Sequence, residues 1–232
     1  MIIPAPLTIA DAKVTLRGTN HNTAQSVLAP DATTSYTLSA PTPQEGRKIL
    51  LAASAGTIEA SYTLDFSAII GGVTATRLAQ VSATASDPYG FALFVADVPT
   101  GTTVDVDLTV SNYTSVRAVA AFELFGLGVD FITSAYSTAA ATTVSASASP
   151  LAGDFVFGFG YGTAAANQRG AGITFDKVSA SGSVSRTYAY NTLSDSKWHM
   201  TTGTLASEVY RSVADNSNFC AACVMICRDK MR

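Results

Sequence analysis

Residues 103–110 read Thr-Val-Asp-Val-Asp-Leu-Thr-Val, with Val104, Val106, Leu108 and Val110 alternating with Thr103, Asp105, Asp107 and Thr109. In an extended chain successive side chains point to opposite faces, so this stretch predicts a strand with one buried and one wet face. Working outward, Ile58–Phe66 repeats the pattern: Ile58, Ala60, Tyr62, Leu64 and Phe66 alternate with Glu59, Ser61, Thr63 and Asp65. Val144, Ala146 and Ala148 alternate with Ser145, Ser147 and Ser149 in the same way. Ile49–Ala53, Phe91–Val98 and Val116–Phe125 are apolar on both faces instead, which predicts mid-sheet strands covered on both sides. Turn chemistry separates the runs. Gly71-Gly72 suits a two-residue hairpin, and Asp87-Pro88-Tyr89-Gly90 and Pro99-Thr100-Gly101 suit longer turns. Helical periodicity of useful length is absent. The expectation is an all-β protein, a single large antiparallel β-sandwich of jelly-roll-like type.

Residues 1–46 read as an extended N-terminal arm. Pro4, Pro6, Pro30, Pro41 and Pro43 interrupt it, and proline cannot donate to a ladder, so only short strand-like pieces are expected (Ala12–Arg17 and Ser35–Ser39). Residues 47–232 read as the sandwich domain. Its element order echoes weakly, a buried strand followed by hairpins and a final apolar strand, which suggests two pseudo-repeated halves, 47–127 and 142–228. Residues 128–141 are too apolar for a free linker, which favours one domain.

Charged residues make up 13% of the 232 residues, about half the usual share, while hydrophobic residues reach 47%. Much of the exterior is therefore Ser, Thr, Ala and Gly, a weakly hydrated surface that tolerates close packing against another chain. A net charge of −3 with 14 scattered Lys and Arg argues against nucleic acid as a partner. No run approaches the ~18 apolar residues of a membrane helix. The opening Met-Ile-Ile-Pro-Ala-Pro lacks the basic and long apolar regions of a signal peptide, so synthesis in a cytoplasm is expected.

Candidate chemistry is sparse. The two histidines are His21, in a polar turn-like stretch, and His199, beside Trp198. Neither has a nucleophile motif near it, so no triad is expected. Asp105 and Asp107 share a strand face about 7 Å apart, a spacing an inverting glycosidase pair could use. Acids at period two on an outer face are more ordinarily a solvated, aggregation-resisting surface. No Asp/Asn/Gly loop supplies calcium ligands. Cys220, Cys223 and Cys227 lack the fourth ligand of a structural zinc site. As a strand they would place Cys223 and Cys227 on one face and Cys220 on the other, either as small core residues or as an inter-subunit disulfide. Phe155, Phe157, Phe159 and Tyr161 share one strand face and are expected in the core. The opposite face, Val156, Gly158, Gly160 and Gly162, lets another sheet approach closely. Tyr188, Tyr190 and Trp198 lie in polar surroundings and form a candidate glycan-stacking platform. No catalytic residue, metal or cofactor is expected.

Residues 69–128 carry a resemblance. Ile-Ile-Gly-Gly-Val-Thr-Ala-Thr-Arg-Leu, then Phe-Ala-Leu-Phe-Val-Ala-Asp-Val-Pro-Thr-Gly-Thr-Thr-Val-Asp-Val, then Ser-Val-Arg-Ala-Val-Ala-Ala-Phe-Glu-Leu-Phe-Gly-Leu resemble β-sandwich virion structural proteins of tailed bacteriophages. The shared marks are the hairpin around Gly71-Gly72 and the strand-turn around Pro99 and Gly101. The resemblance covers about a quarter of the chain. It implies a non-enzymatic capsid decoration protein, made in the host cytoplasm and carried on the virion. The implied partners are the major capsid protein or other virion proteins, and further copies of the chain in a homo-oligomer, a trimer among the options. The alternatives are a tail or head-fibre protein binding a host-surface glycan through residues such as Trp198, and a polysaccharide depolymerase.

Overall fold

The decisive segment of the sequence, Thr103–Val110, is a strand whose Val104, Val106, Leu108 and Val110 are buried, while Thr103 and Asp105 are exposed. The computed structural model describes residues 13–22, 29–56, 63–83, 89–112, 114, 116–137, 143–164, 168–177, 181–182, 184–189, 206–210 and 219–229. In chain order the strands are β1 (Lys13–Asn22), β2 (Thr33–Ser39), β3 (Lys48–Gly56), β4 (Phe66–Ile70), β5 (Val73–Thr74), β6 (Thr76–Ala83), β7 (Tyr89–Asp97) and β8 (Thr103–Val110). They continue with β9 (Val116–Phe125), β10 (Leu127–Ser137), β11 (Thr143–Ala148), β12 (Phe155–Ala164), β13 (Gln168–Lys177), β14 (Val184–Ala189), β15 (Ala206–Tyr210) and β16 (Phe219–Asp229). The described residues contain no helix, and the strand pairings are antiparallel. The all-β antiparallel sandwich expected from the sequence is what the chain forms.

Four sheets stack as layers. A four-stranded sheet, β2-β8-β4-β5, covers one face of a five-stranded sheet, β1-β9-β3-β7-β6. Between them lies a core of Tyr36, Leu38, Ile49, Leu51, Leu64, Phe66, Ile70, Phe94, Val104, Val106, Leu108 and Val119, among others. The residues of β3, β7 and β9 that point away from this core, Leu50, Phe91, Leu93, Phe122 and Leu124, are buried as well, at 0–1% exposure. A second five-stranded sheet, β10-β16-β12-β13-β15, covers them. The Phe122 and Phe157 rings meet edge to face across this layer, 5.3 Å apart at 84°. Phe157 lies opposite Met225 in the β12–β16 ladder, so Cys223, Met225 and Cys227 share its face, and all of them are buried. The reverse face of this second sheet carries buried Val156, Val224 and Ile226 and lies under the two-stranded sheet β11-β14, whose Ala146 and Ala148 are buried. The double-sided apolar runs of the sequence therefore occupy the middle layers.

The two halves repeat one pairing scheme. In the first, β1 pairs with β9, β9 with β3 and β3 with β7, while β2 pairs with β8 in the facing sheet. In the second, β10 pairs with β16, β16 with β12 and β12 with β13, while β11 pairs with β14. β15 takes the far-edge place that β6 holds, although it follows β14 in the chain. β1 lies beside β15 and β6 beside β10, so the middle sheets meet in a roughly two-fold manner. A single residue, Gly126, joins the halves, with φ at 66°, a region that residues with a side chain seldom enter.

Two sequence expectations look different in the structure. Within residues 1–46, β1 and β2 are edge strands, one in each sheet of the first half, and Pro30, Pro41 and Pro43 fall in the loops flanking β2. Residues 1–12 and 23–28 lie outside the described residues. Within Ile58–Phe66 the described residues 63–66 keep the alternation, with Leu64 and Phe66 buried and Asp65 exposed, but the strand begins only at Phe66. Side chains replace the ladder there: the amides of Leu64, Asp65 and Phe66 donate to Ser82 Oγ, Ser111 Oγ and Gln80 Oε1. Gln80 and Arg77 in turn hold the Asp65 carboxyl below its ordinary pKa. Residues 57–62 lie outside the described residues.

Removing either ring of the Phe122–Phe157 pair should cost about 3–5 kcal/mol in urea denaturation. In a double-mutant cycle of Phe122→Ala and Phe157→Ala the two losses should couple by roughly 0.5–1.5 kcal/mol. Strict additivity would mean that the rings do not meet.

Candidate interaction surface

One end of the first half is built from three loops: residues 40–47 between β2 and β3, the β4–β5 hairpin, and residues 98–102 between β7 and β8. Arg47, fully buried, organises them. Its Nε donates to Val98 O at 2.6 Å, Nη1 to Ala40 O at 2.8 Å, and Nη2 to the carbonyls of Thr100 and Gly101. Nη1 also pairs with Glu123 Oε1 at 3.1 Å, with neither side chain exposed. Backbone bonds close the cluster: Ala40 N to Thr102 O, Val98 N to Arg47 O, and Gly71 N to Asp105 O at 2.8 Å. Gly71 and Gly72 have φ of 59° and 77°, the left-handed pair that a two-residue hairpin requires. A Cβ on Gly71 would stand 2.7 Å from a Val98 methyl. The hairpin and the strand-turn that carry the sequence resemblance, far apart along the chain, thus pack on each other.

The outside of this end is rich in Pro, Thr and Gly. Residues 41–46, Pro-Thr-Pro-Gln-Glu-Gly, and 99–103, Pro-Thr-Gly-Thr-Thr, are exposed, as are Ile69 at 43% and Val73 at 46%. Charge enters through Glu45, through the Lys48–Asp97 pair, through Asp105, whose carbonyl accepts the Gly71 amide, and through Asp107 opposite Ile69. Proline, left-handed glycines and a buried guanidinium restrict the conformations open to these loops.

Of the sequence-derived candidates, Asp105 and Asp107 adjoin this end. Asp105 and Asp107 project from the outer sheet, where Thr37 Oγ1 donates to Asp105 at 2.7 Å and Ser35 Oγ to Asp107 at 2.6 Å. These contacts follow the β2–β8 register, in which Thr33 and Thr109 also share a 2.7 Å hydroxyl bond. The acids thus form outward rungs that pin an edge strand. Cys223 and Cys227 are both fully buried against the first middle sheet, Cys223 as a free thiol. Cys220 is paired through its backbone with Ser137 and Gly162 in the β16 ladders, and its side chain lies outside the described residues. Trp198, Tyr190 and His199 lie outside the described residues, as do the side chains of Tyr188 and His21, whose backbones run in β14 and β1. Among the described residues no group of three or more His, Cys, Asp or Glu could hold a metal ion, and no helix is long and apolar enough to cross a membrane. The sequence reading missed Arg47 and Glu123. Glu123, with Arg117, interrupts a run otherwise apolar on both faces, and that interruption is the signal that could have found it.

Comparison with protein-family models, with curated proteins and with solved structures returns no match.

Arg47→Met should cost about 3–5 kcal/mol, because it removes the ion-pair partner of a buried carboxylate, and Glu123→Gln less, about 1–3 kcal/mol. Urea denaturation reads both. Burial pushes the Cys223 thiol from 9.0 up to about 12 and the Tyr36 hydroxyl from 10.0 up to about 12. Both groups ionise earlier in the unfolded chain, so their contribution to stability is full below about pH 9 and is lost as pH rises toward 12. Cys223→Ala should flatten the lower part of that decline. Alkylation at pH 8 with mass-spectrometric readout should leave Cys223 and Cys227 unmodified until urea is added.

Proposed function

We propose that this chain is a non-enzymatic structural protein of a tailed-phage virion, most directly a capsid decoration protein that docks on the major capsid protein. The observation that carries this reading is the convergence of the two resemblance marks. The Gly71-Gly72 hairpin and the Pro99–Gly101 turn pack into one loop end whose carbonyls Arg47 holds. A shell lattice presents the same surface many times over, and the exposed Pro, Thr and Gly residues of 41–46 and 99–103, beside a hairpin that carries Ile69 on its outer face and Val73 on the other, suit repeated docking. On this reading the protein is made in the host cytoplasm, assembles onto the particle, and is present in copies commensurate with the shell.

Quantitative mass spectrometry of purified particles should find the chain in a fixed ratio to the major capsid protein. Ile69→Lys combined with Val73→Lys should abolish saturation of undecorated capsids while the melting curve stays cooperative. A doubly substituted protein that still saturates capsids overturns docking through this end, and absence from particles overturns the reading altogether. A chain lacking residues 1–12 tests whether the leading segment contributes. Deletion through residue 46 would not, since it removes β1 and β2 from the sheets.

A further inference from the structure

A guanidinium removed from water needs acceptors for its protons and, in low dielectric, a compensating charge. Four arginine side chains are described. Arg47 pairs with Glu123, Arg77 with Asp65 and Arg228 with Asp154. Arg117 is fully buried near the opposite end of β9 from Glu123 and meets only neutral groups. Its Nε donates to Thr114 Oγ1 at 2.9 Å, and Nη1 to Ala32 O, to Thr34 Oγ1 at 3.2 Å and to Leu108 O at 3.2 Å. Nη2 is buried with no hydrogen-bond partner.

The same corner holds a second unsatisfied group. Tyr36 is buried at 5% exposure, and its Oη has no hydrogen-bond partner either. Tyr36 follows Thr34 on the same face of β2, one pleat along, and the Arg117 charge acts on its hydroxyl. Burial keeps that hydroxyl protonated, so it stands ready to donate. Two buried donors, one of them cationic, therefore lie in the same corner of the core, each without a hydrogen-bond acceptor. A water molecule would accept the hydrogen bonds but leave the charge uncompensated, whereas an anion does both. The surrounding Val106, Leu108 and Thr114 are 0% exposed, which restricts the ion to a small one.

We propose that the Arg117–Tyr36 corner of the first half binds a small monovalent anion of the halide class, accepting from Arg117 Nη2 and Tyr36 Oη and supplying the charge that no carboxylate supplies there. The ion then performs for the β2 end of the core what Glu123 performs for the Arg47 end. It ties β2 to β9 across the sandwich.

Bromide is the probe. Crystals grown in sodium bromide should show an anomalous peak at the bromine edge within hydrogen-bonding reach of Arg117 Nη2 and Tyr36 Oη. Thermal unfolding in bromide should lie about 2–4 °C above that in sodium gluconate at equal ionic strength. Tyr36→Phe keeps the ring and the fold and should weaken bromide binding about tenfold or more, removing most of that shift. Arg117→Gln should abolish the shift. A water molecule at the site with no anomalous peak, equal melting temperatures in the two salts, or a Tyr36→Phe variant that responds to bromide like the parent would each overturn the proposal.

Discussion

The structure depends on a sheet that has no wet face. β3, β7 and β9 bury side chains on both sides, so the β1-β9-β3-β7-β6 sheet must be covered twice. The four-stranded sheet covers one side. The other needs a second large apolar surface, and β12 with β16 supplies it through Phe157, Cys223, Met225 and Cys227. Each large side chain moved out of water there contributes roughly 1.5–3 kcal/mol. The second half is therefore the cover of the first. Gly126, a one-residue connection, leaves the two no room to separate as independent units.

Both halves settle a polar problem with the same device and opposite charge. The residue just before β3 is Arg47, which pairs with Glu123 of β9. The residue just before β12 is Asp154, almost fully buried, which pairs with Arg228 of β16 at 2.8 Å and accepts the Leu151 amide. The strands concerned hold matching places in the two pairing schemes. A loop that enters a middle strand between two sheets carries backbone groups it cannot present to water. A long charged side chain bonded to those groups resolves this, provided the last strand returns a counter-charge. Arg117 shows the case in which no counter-charge is returned. For the proposed role on a virion, the Arg47 clasp restricts the conformations open to the loop end.

Strand class and inner-strand identity were legible along the chain. Val104, Val106, Leu108 and Val110 announced a half-buried strand, and Ile49–Ala53, Phe91–Val98 and Val116–Phe125 announced buried ones, because period-two burial is a local property of an extended backbone. The Gly71-Gly72 hairpin was legible for the same reason: left-handed φ at two successive positions selects glycine. The edge strands of residues 1–46 were harder to see, since their partners in β9 and β8 lie far along the chain. β10 and β15 were not read as strands at all.

The candidate surface was legible only in fragments. The hairpin and the turn stood out as separate marks, but nothing local indicates that Gly71 packs on Val98 or that Arg47 holds the carbonyls of Val98, Thr100 and Gly101. The sequence by itself determined which segments extend, which of their faces leave water, and where the chain turns, because these follow from alternation and from the backbone preferences of single residues. Only the tertiary structure decided which buried face meets which and which charge answers which. Arg47 and Glu123 stand 76 residues apart, and Phe122 meets Phe157 only when two sheets stack. Contacts of that kind are set by how whole sheets fit together.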